Sequence, residues 1–88
     1  MDDPLMARLL EVVGYVAGPN RLPGELGAHT PITAGGLELD SVGVLELILA
    51  CETEFSVTFD PRTDLTRDAL QTIGSLARSI HRARAAGG

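Results

Sequence analysis

The 88-residue chain has no lysine and no tryptophan, and holds one cysteine, one tyrosine and two phenylalanines. Each scarcity excludes something. A lone cysteine, Cys51, permits no internal disulfide and anchors no thiolate metal cluster. Aromatics make up only 3% of the chain, and Leu, Ala and Val supply most of the apolar residues, which favours helices over a β-sandwich core. No apolar run approaches the ~18 residues that a membrane span requires. The opening Met1-Asp2-Asp3-Pro4 puts no basic stretch ahead of an apolar one, so no signal peptide is expected and the location reads as cytoplasmic. Positive charge is scarce too. Seven arginines stand against twelve acids, a net charge of −5, which makes nucleic acid an unsuitable partner. At this length the whole chain, 1–88, makes one domain, and an enclosed catalytic pocket would compete with the core for the same few side chains. A binding or carrier module fits better than an enzyme.

What is present is helical period. Asp3-Pro4 opens a first helix, with Leu5, Leu9, Val12, Val13 and Val16 at helical spacing, and Gly18-Pro19-Asn20 closes it, giving a span from Asp3 to Ala17. The stretch 18–39 is loop-like, with Pro19, Pro23 and Pro31, and is longer than a structureless connection usually is. Leu22, Leu26, Ile32, Leu37 and Leu39 are expected to pin it to the core. The second helix is expected over Ser41 to Phe55. At ~100° per residue, Val44, Leu47, Ile48, Cys51 and Phe55 share a core face. Val42, Leu45 and Leu49 form a second apolar stripe, and Glu46, Thr53 and Glu54 fill the remaining arc. That stripe reads equally well as a docking surface or as the wide apolar face of a buried helix. The run Ser56-Val57-Thr58-Phe59-Asp60 reads as an extended connection, and residues 64–70 have room for one short helix. Thr72 caps a last helix through Ile73, Leu76, Ala77 and Ile80 to about Ala83, leaving a helical core of 3–83 and a frayed tail of 84–88.

The chemistry gathers at Asp40-Ser41. A helix N-terminus presents unpaired N–H groups and the positive end of the dipole, so a serine hydroxyl there can carry a phosphodiester. It can also serve simply as a cap. Nucleophilic catalysis would need a base and an orienting group. The two histidines, His29 in the loop and His81 near the end of the chain, have nothing to bring them to Ser41, and no carboxylate or cysteine companions make them a metal pair. No catalytic residues and no metal ligands are assigned.

Leu39-Asp40-Ser41-Val42, then Leu45-Glu46-Leu47 and Glu52-Thr53-Glu54-Phe55, resembles the acyl and peptidyl carrier proteins, a phosphopantetheine-binding family. Asp-Ser-Leu opening the second helix is that family's hallmark; Val42 replaces the leucine here. The preceding Gly36-Leu37-Glu38-Leu39 is like the context in free-standing carriers, and Thr72-Ile73 after Leu70 is like the opening of their last helix. The resemblance implies an all-α fold: a four-helix bundle with three principal helices, one short third helix, and a long loop between helices one and two. It implies 4′-phosphopantetheine on Ser41, attached by a phosphopantetheinyl transferase from coenzyme A, with Asp40 capping the helix and assisting the transferase near its metal. Val42, Leu45, Glu46 and Leu49 match positions that touch partner enzymes, which tips the second stripe toward docking. Cys51 falls at an aliphatic core position and is expected to be buried and inert. Partners implied are the transferase, a loading acyltransferase or adenylating ligase, and downstream synthase or modifying enzymes, acting on a monomer. Gly43 departs from the family's usual polar residue and costs the first turn about 1 kcal/mol relative to alanine. With only moderate acidity, it favours a specialised carrier of polyketide or nonribosomal-peptide-like biosynthesis over a fatty-acid carrier. The alternative is a carrier-like helical adaptor that is never modified.

Overall fold

The computed structural model describes residues 3–18 and 26–85. Among them are three helices: α1 (Asp3–Ala17), α2 (Ser41–Phe55) and α3 (Ile73–Ala85). The bounds of α1 and α2 are those the capping and period signals give. Gly18 closes α1 in the left-handed region, at φ +85°, and its N–H donates to the Gly14 carbonyl at 3.0 Å. α1 packs mainly on α2 and also on α3, while α2 and α3 touch least. The core takes Leu5, Leu9, Val12 and Val13 from α1, Leu47, Ile48 and Cys51 from α2, and Ile73, Leu76 and Ile80 from α3. Val44 and Phe55 are only half-buried at its edge. No helix among the described residues is long and apolar enough to cross a membrane.

The expected short third helix is not formed. Residues 61–70 make turns, so the described bundle has three helices, not four. The reason is local competition for backbone groups. The Asp64 N–H reaches the Asp60 carbonyl at 2.7 Å, but the Asp60 N–H is taken by the Asp64 carboxylate at 2.8 Å. Further on, Thr66 Oγ1 accepts from the Ala69 N–H at 3.2 Å, and Ser75 Oγ donates to the Ala69 carbonyl at 2.8 Å. The Ala69 N–H and carbonyl, which a helix would give to Leu65 and Ile73, thus both go to side chains, and the turn at 66–70 does not propagate. The end of the chain differs from expectation as well: α3 continues through Arg84 to Ala85, and 86–88 lie outside the described residues.

The loop that leads to α2 is tied at two places. Ile32, Leu37 and Leu39 are buried in the core and Leu26 is half-buried; the anchor expected at Leu22 lies outside the described residues. Residues 28–32 run antiparallel to the start of α3. The Ile32 N–H donates to the Gln71 carbonyl at 3.1 Å, the Ile73 N–H to Thr30 at 3.0 Å, and the Gly74 N–H to Ala28 at 2.7 Å. Residues 31–39 then fold on themselves. The Leu37 N–H donates to the Pro31 carbonyl at 2.9 Å, and the Leu39 N–H to Ile32 at 3.2 Å. Gly36 lies so close beneath that a Cβ there would sit 2.8 Å from Pro31 Cδ and 2.9 Å from Pro31 N. Only glycine permits that approach.

α3 begins with a reciprocal cap. Thr72 Oγ1 accepts from the Ser75 N–H at 3.1 Å while Ser75 Oγ accepts from the Thr72 N–H at 2.9 Å. The connection after α2 is fastened by Glu52, whose carboxylate accepts from the Phe59 N–H at 2.9 Å and whose carbonyl accepts from Val57 at 3.1 Å. That lays Val57 and Phe59 into the core through an extended segment.

Candidate functional site

The loop delivers the chain to α2 through Glu38, a non-glycine residue at φ +58°. Its own carboxylate steadies that bend, accepting from the Gly35 N–H at 2.8 Å. Leu39 then drops into the core and Asp40 turns outward in an extended conformation, φ −85° and ψ −174°. There Asp40 is the N-cap of α2. Its Oδ1 accepts from the Gly43 N–H at 2.8 Å, and its carbonyl accepts from Val44 at 2.9 Å.

The division of labour at this helix end matters for Ser41. The cap is supplied by Asp40, so the Ser41 hydroxyl is not spent on it. Ser41 is exposed, the first residue of α2, and its hydroxyl has no hydrogen-bond partner among the described residues. Of the first three N–H groups of the helix, only Gly43's is taken by the cap; those of Ser41 and Val42 are left outward. An exposed hydroxyl beside two unpaired N–H groups at the positive end of a helix is a setting that accommodates a phosphodiester. His29 and His81 are both exposed, and neither hydrogen-bonds to Ser41.

Gly43 has a role that composition did not reveal. It is buried, and a Cβ there would meet Leu39 Cδ2 at 3.1 Å and Asp40 Oδ1 at 3.4 Å. Its small size lets α2 start tight against the Leu39 anchor, which offsets the propensity cost of glycine in a first turn.

Beyond Ser41, α2 presents the second stripe to solvent. Val42 is 66% exposed, Leu45 55% and Leu49 53%, and Glu46 beside them is exposed with no ion pair among the described residues. The acids near the end of α2 serve otherwise. Glu52 holds the following connection, and Glu54 Oε2 pairs with Arg8 Nε of α1 at 2.8 Å. Two residues around the site, Tyr15 and Glu38, are not among those that motif and apolar stripe single out. Tyr15 is 88% exposed on α1; its position falls roughly 100° from the centre of that helix's apolar stripe, which is the trace it leaves in the sequence. Glu38 leaves no such trace, since nothing in composition marks a left-handed glutamate.

Cys51 is fully buried in the core. Burial pushes its thiol up to about 12, with the neighbouring Glu52 charge adding to the rise. It is therefore a packing residue and not a reactive thiol.

No curated protein and no solved structure matches the chain. A family model described as the phosphopantetheine attachment site matches residues 7–80, from the first turns of α1 across the loop and Asp40-Ser41 into α3. Members of that family are carrier modules rather than catalysts, and they interact with phosphopantetheinyl transferases and synthase enzymes. Since the match takes in most of the chain and the whole approach to Ser41, the protein belongs to the phosphopantetheine-attachment family and carries 4′-phosphopantetheine covalently.

Proposed function

We propose that Ser41 is the residue that bears the 4′-phosphopantetheine, and that the protein is a monomeric carrier domain holding an acyl or aminoacyl group between biosynthetic enzymes. One observation supports this reading above the others: Asp40 caps α2, leaving the Ser41 hydroxyl exposed and without a partner among the described residues. A serine that capped the helix itself would lose its bond to the first turn on modification; here the first turn keeps its Asp40 bond whatever Ser41 carries. When attached, the prosthetic group supplies a thiol that takes the cargo as a thioester. The chain itself supplies the position: a rigid helix end, two N–H groups for the phosphodiester charge, and an adjacent carboxylate, Asp40, for the transferase to recognise.

Val42, Leu45, Glu46 and Leu49 form the docking stripe of this reading. Three aliphatic side chains more than half exposed on one helix face have no use in the protein's own core, and Glu46 adds a charge for register. The enzymes served are a loading acyltransferase or adenylating ligase and later synthase or modifying enzymes of a polyketide or nonribosomal-peptide-like route in the cytoplasm.

The test is intact-mass measurement after incubation with coenzyme A, magnesium and a broad-specificity phosphopantetheinyl transferase. The chain is expected to gain the mass of one phosphopantetheine, and Ser41→Ala to gain none while folding normally. Addition to Ser41→Ala would move the attachment point elsewhere. A chain that stays at its unmodified mass would instead be a helical adaptor.

A further inference from the structure

The large apolar side chains that the described residues leave exposed are Tyr15, Val42, Leu45 and Leu49. Val42, Leu45 and Leu49 follow one another down α2 at intervals of three and four, so they form one row. Tyr15 comes from α1, yet it joins the same row. With Val16, Glu46, Leu49 and Ala50 it lines a groove of about 410 Å³ between the two helices. A second hollow of about 580 Å³ shares Tyr15, Leu49 and Ala50 and runs on toward Arg8 and Glu54. The exposed apolar surface thus starts beside Ser41 and ends in a groove walled by α1.

The charges along this surface are unequal in an informative way. Arg8 is satisfied within the chain, by Glu11 at 3.3 Å and Glu54 at 2.8 Å. Glu46, on the groove's other side, has no such partner among the described residues. The surface therefore offers an apolar hollow beside an unpaired negative charge. Two occupants fit poorly. A second copy packed α2 to α2 would bring Glu46, Glu52 and Glu54 and no basic residue from that helix, so Glu46 would gain no cation from it. An acyl cargo would lie in a groove whose outer wall, Tyr15, is 88% exposed, and would keep much of its surface in water. A protein brings its own roof.

We propose that the α1–α2 groove is the far end of the surface that receives the phosphopantetheinyl transferase, with Tyr15 as its apolar anchor and Glu46 meeting a basic side chain of the enzyme. This rests on Ser41 being the attachment point, because the enzyme's reacting centre must then cover Ser41. Ser41 to Leu49 is eight residues of helix, roughly 12 Å. A standard interface buries about 800 Å² on each partner, a disc of roughly 16 Å radius. A footprint laid over Ser41 and along the exposed row therefore reaches Leu49 and Tyr15. A tyrosine gives large contact area at low entropic cost, which is why it recurs among residues that dominate binding.

The chain's single tyrosine makes the test direct. Incorporating 3-fluorotyrosine places one ¹⁹F resonance in the groove. In the Ser41→Ala background, titration with the transferase and coenzyme A is expected to shift or broaden that resonance saturably. With Ser41 present, Tyr15→Ser and Glu46→Arg are each expected to raise the transferase KM for the chain about tenfold with kcat within twofold, while Arg78→Ser on α3 changes neither. A KM for Tyr15→Ser within twofold of the unaltered chain overturns the proposal. So does a ¹⁹F resonance that stays still under saturating transferase, or one that moves with chain concentration alone (a second copy) or on octanoyl loading alone (cargo). Failure of the unaltered chain to accept the arm at all is a distinct result; it removes the Ser41 reading and this proposal with it.

Discussion

Cys51 and Ser41 sit ten positions apart on α2 and have opposite surroundings. Ser41 is exposed at the helix end, whereas Cys51 is sealed in the core with its thiol pushed from 9.0 to about 12. An acid whose pKa is raised by folding stabilises the folded state fully below its unfolded pKa, and loses that contribution as pH rises through the folded one. Between about 9 and 12 the unfolded chain sheds the Cys51 proton while the folded chain keeps it. Stability to urea is therefore expected to fall across that window, and to fall less steeply in Cys51→Ala. At pH 8 the thiol should resist an aromatic disulfide reagent until urea opens the core. Rapid reaction of the native thiol would contradict the burial seen here.

At the scale of elements, the connection from α2 to α3 depends on few polar contacts. Asp64, 6% exposed, accepts from the Asp60 N–H at 2.8 Å and faces Arg82 Nε of α3 at 3.5 Å. Removing its carboxylate strands a backbone donor as well as the ion pair. Asp64→Ala is expected to cost about 1–3 kcal/mol in urea unfolding. Arg82→Ala should cost under about 1 kcal/mol, since the arginine side chain is 60% exposed and its charge is screened by solvent. Equal losses in the two variants would mean that the ion pair, not the backbone bond, holds the connection. This segment also shows where sequence reading stops. Helices α1 and α2 were legible because their signals are local: proline and glycine at the ends of one, an aspartate cap and a long period in the other. The turns of 61–70 were not, because what decides them is Ser75 reaching back to Ala69 and Asp64 closing on Asp60. Apolar spacing carries no record of such bonds. At the site, the Asp40-Ser41 pair stands out by motif and the resemblance already gives Asp40 as the cap; that the Ser41 hydroxyl is thereby left unbonded among the described residues is a matter of geometry. Tyr15 is not legible in this way, because an aromatic off the apolar stripe looks like ordinary surface until α2 is placed beside it.

Over the whole molecule, charge is sorted by helix. α2 carries Glu46, Glu52 and Glu54 with no basic residue, a charge of −3, and α3 carries Arg78, Arg82 and Arg84 with no acid, a charge of +3. The two helices touch least in the bundle, and Glu54 and Arg82 are paired elsewhere, with Arg8 and Asp64, which leaves Glu46 as the unpaired acid of α2 on the side of Ser41 among the described residues. A partner that approaches Ser41 meets the negative side. Its encounter should weaken as salt shortens the reach of that field, from ~10 Å at 0.1 M to ~3 Å at 1 M. Raising salt from about 0.05 to about 0.5 M is expected to raise the transferase KM several-fold and leave kcat nearly unchanged. A KM independent of salt would show that apolar contact alone governs docking.

The loop folded around Pro31 bears on what recognition costs. Gly36 pressed against Pro31, with the Leu37 and Leu39 amides bonded back to residues 31 and 32, means that the approach to Ser41 is shaped before any partner arrives. A flexible approach would have to be immobilised in every encounter, at about 1–2 kcal/mol for each residue ordered. On the function proposed above the chain meets several enzymes in turn, and that penalty would recur at each stop. Here the freedom is surrendered once, when the chain folds, and affinity at each visit can stay modest without loss of aim.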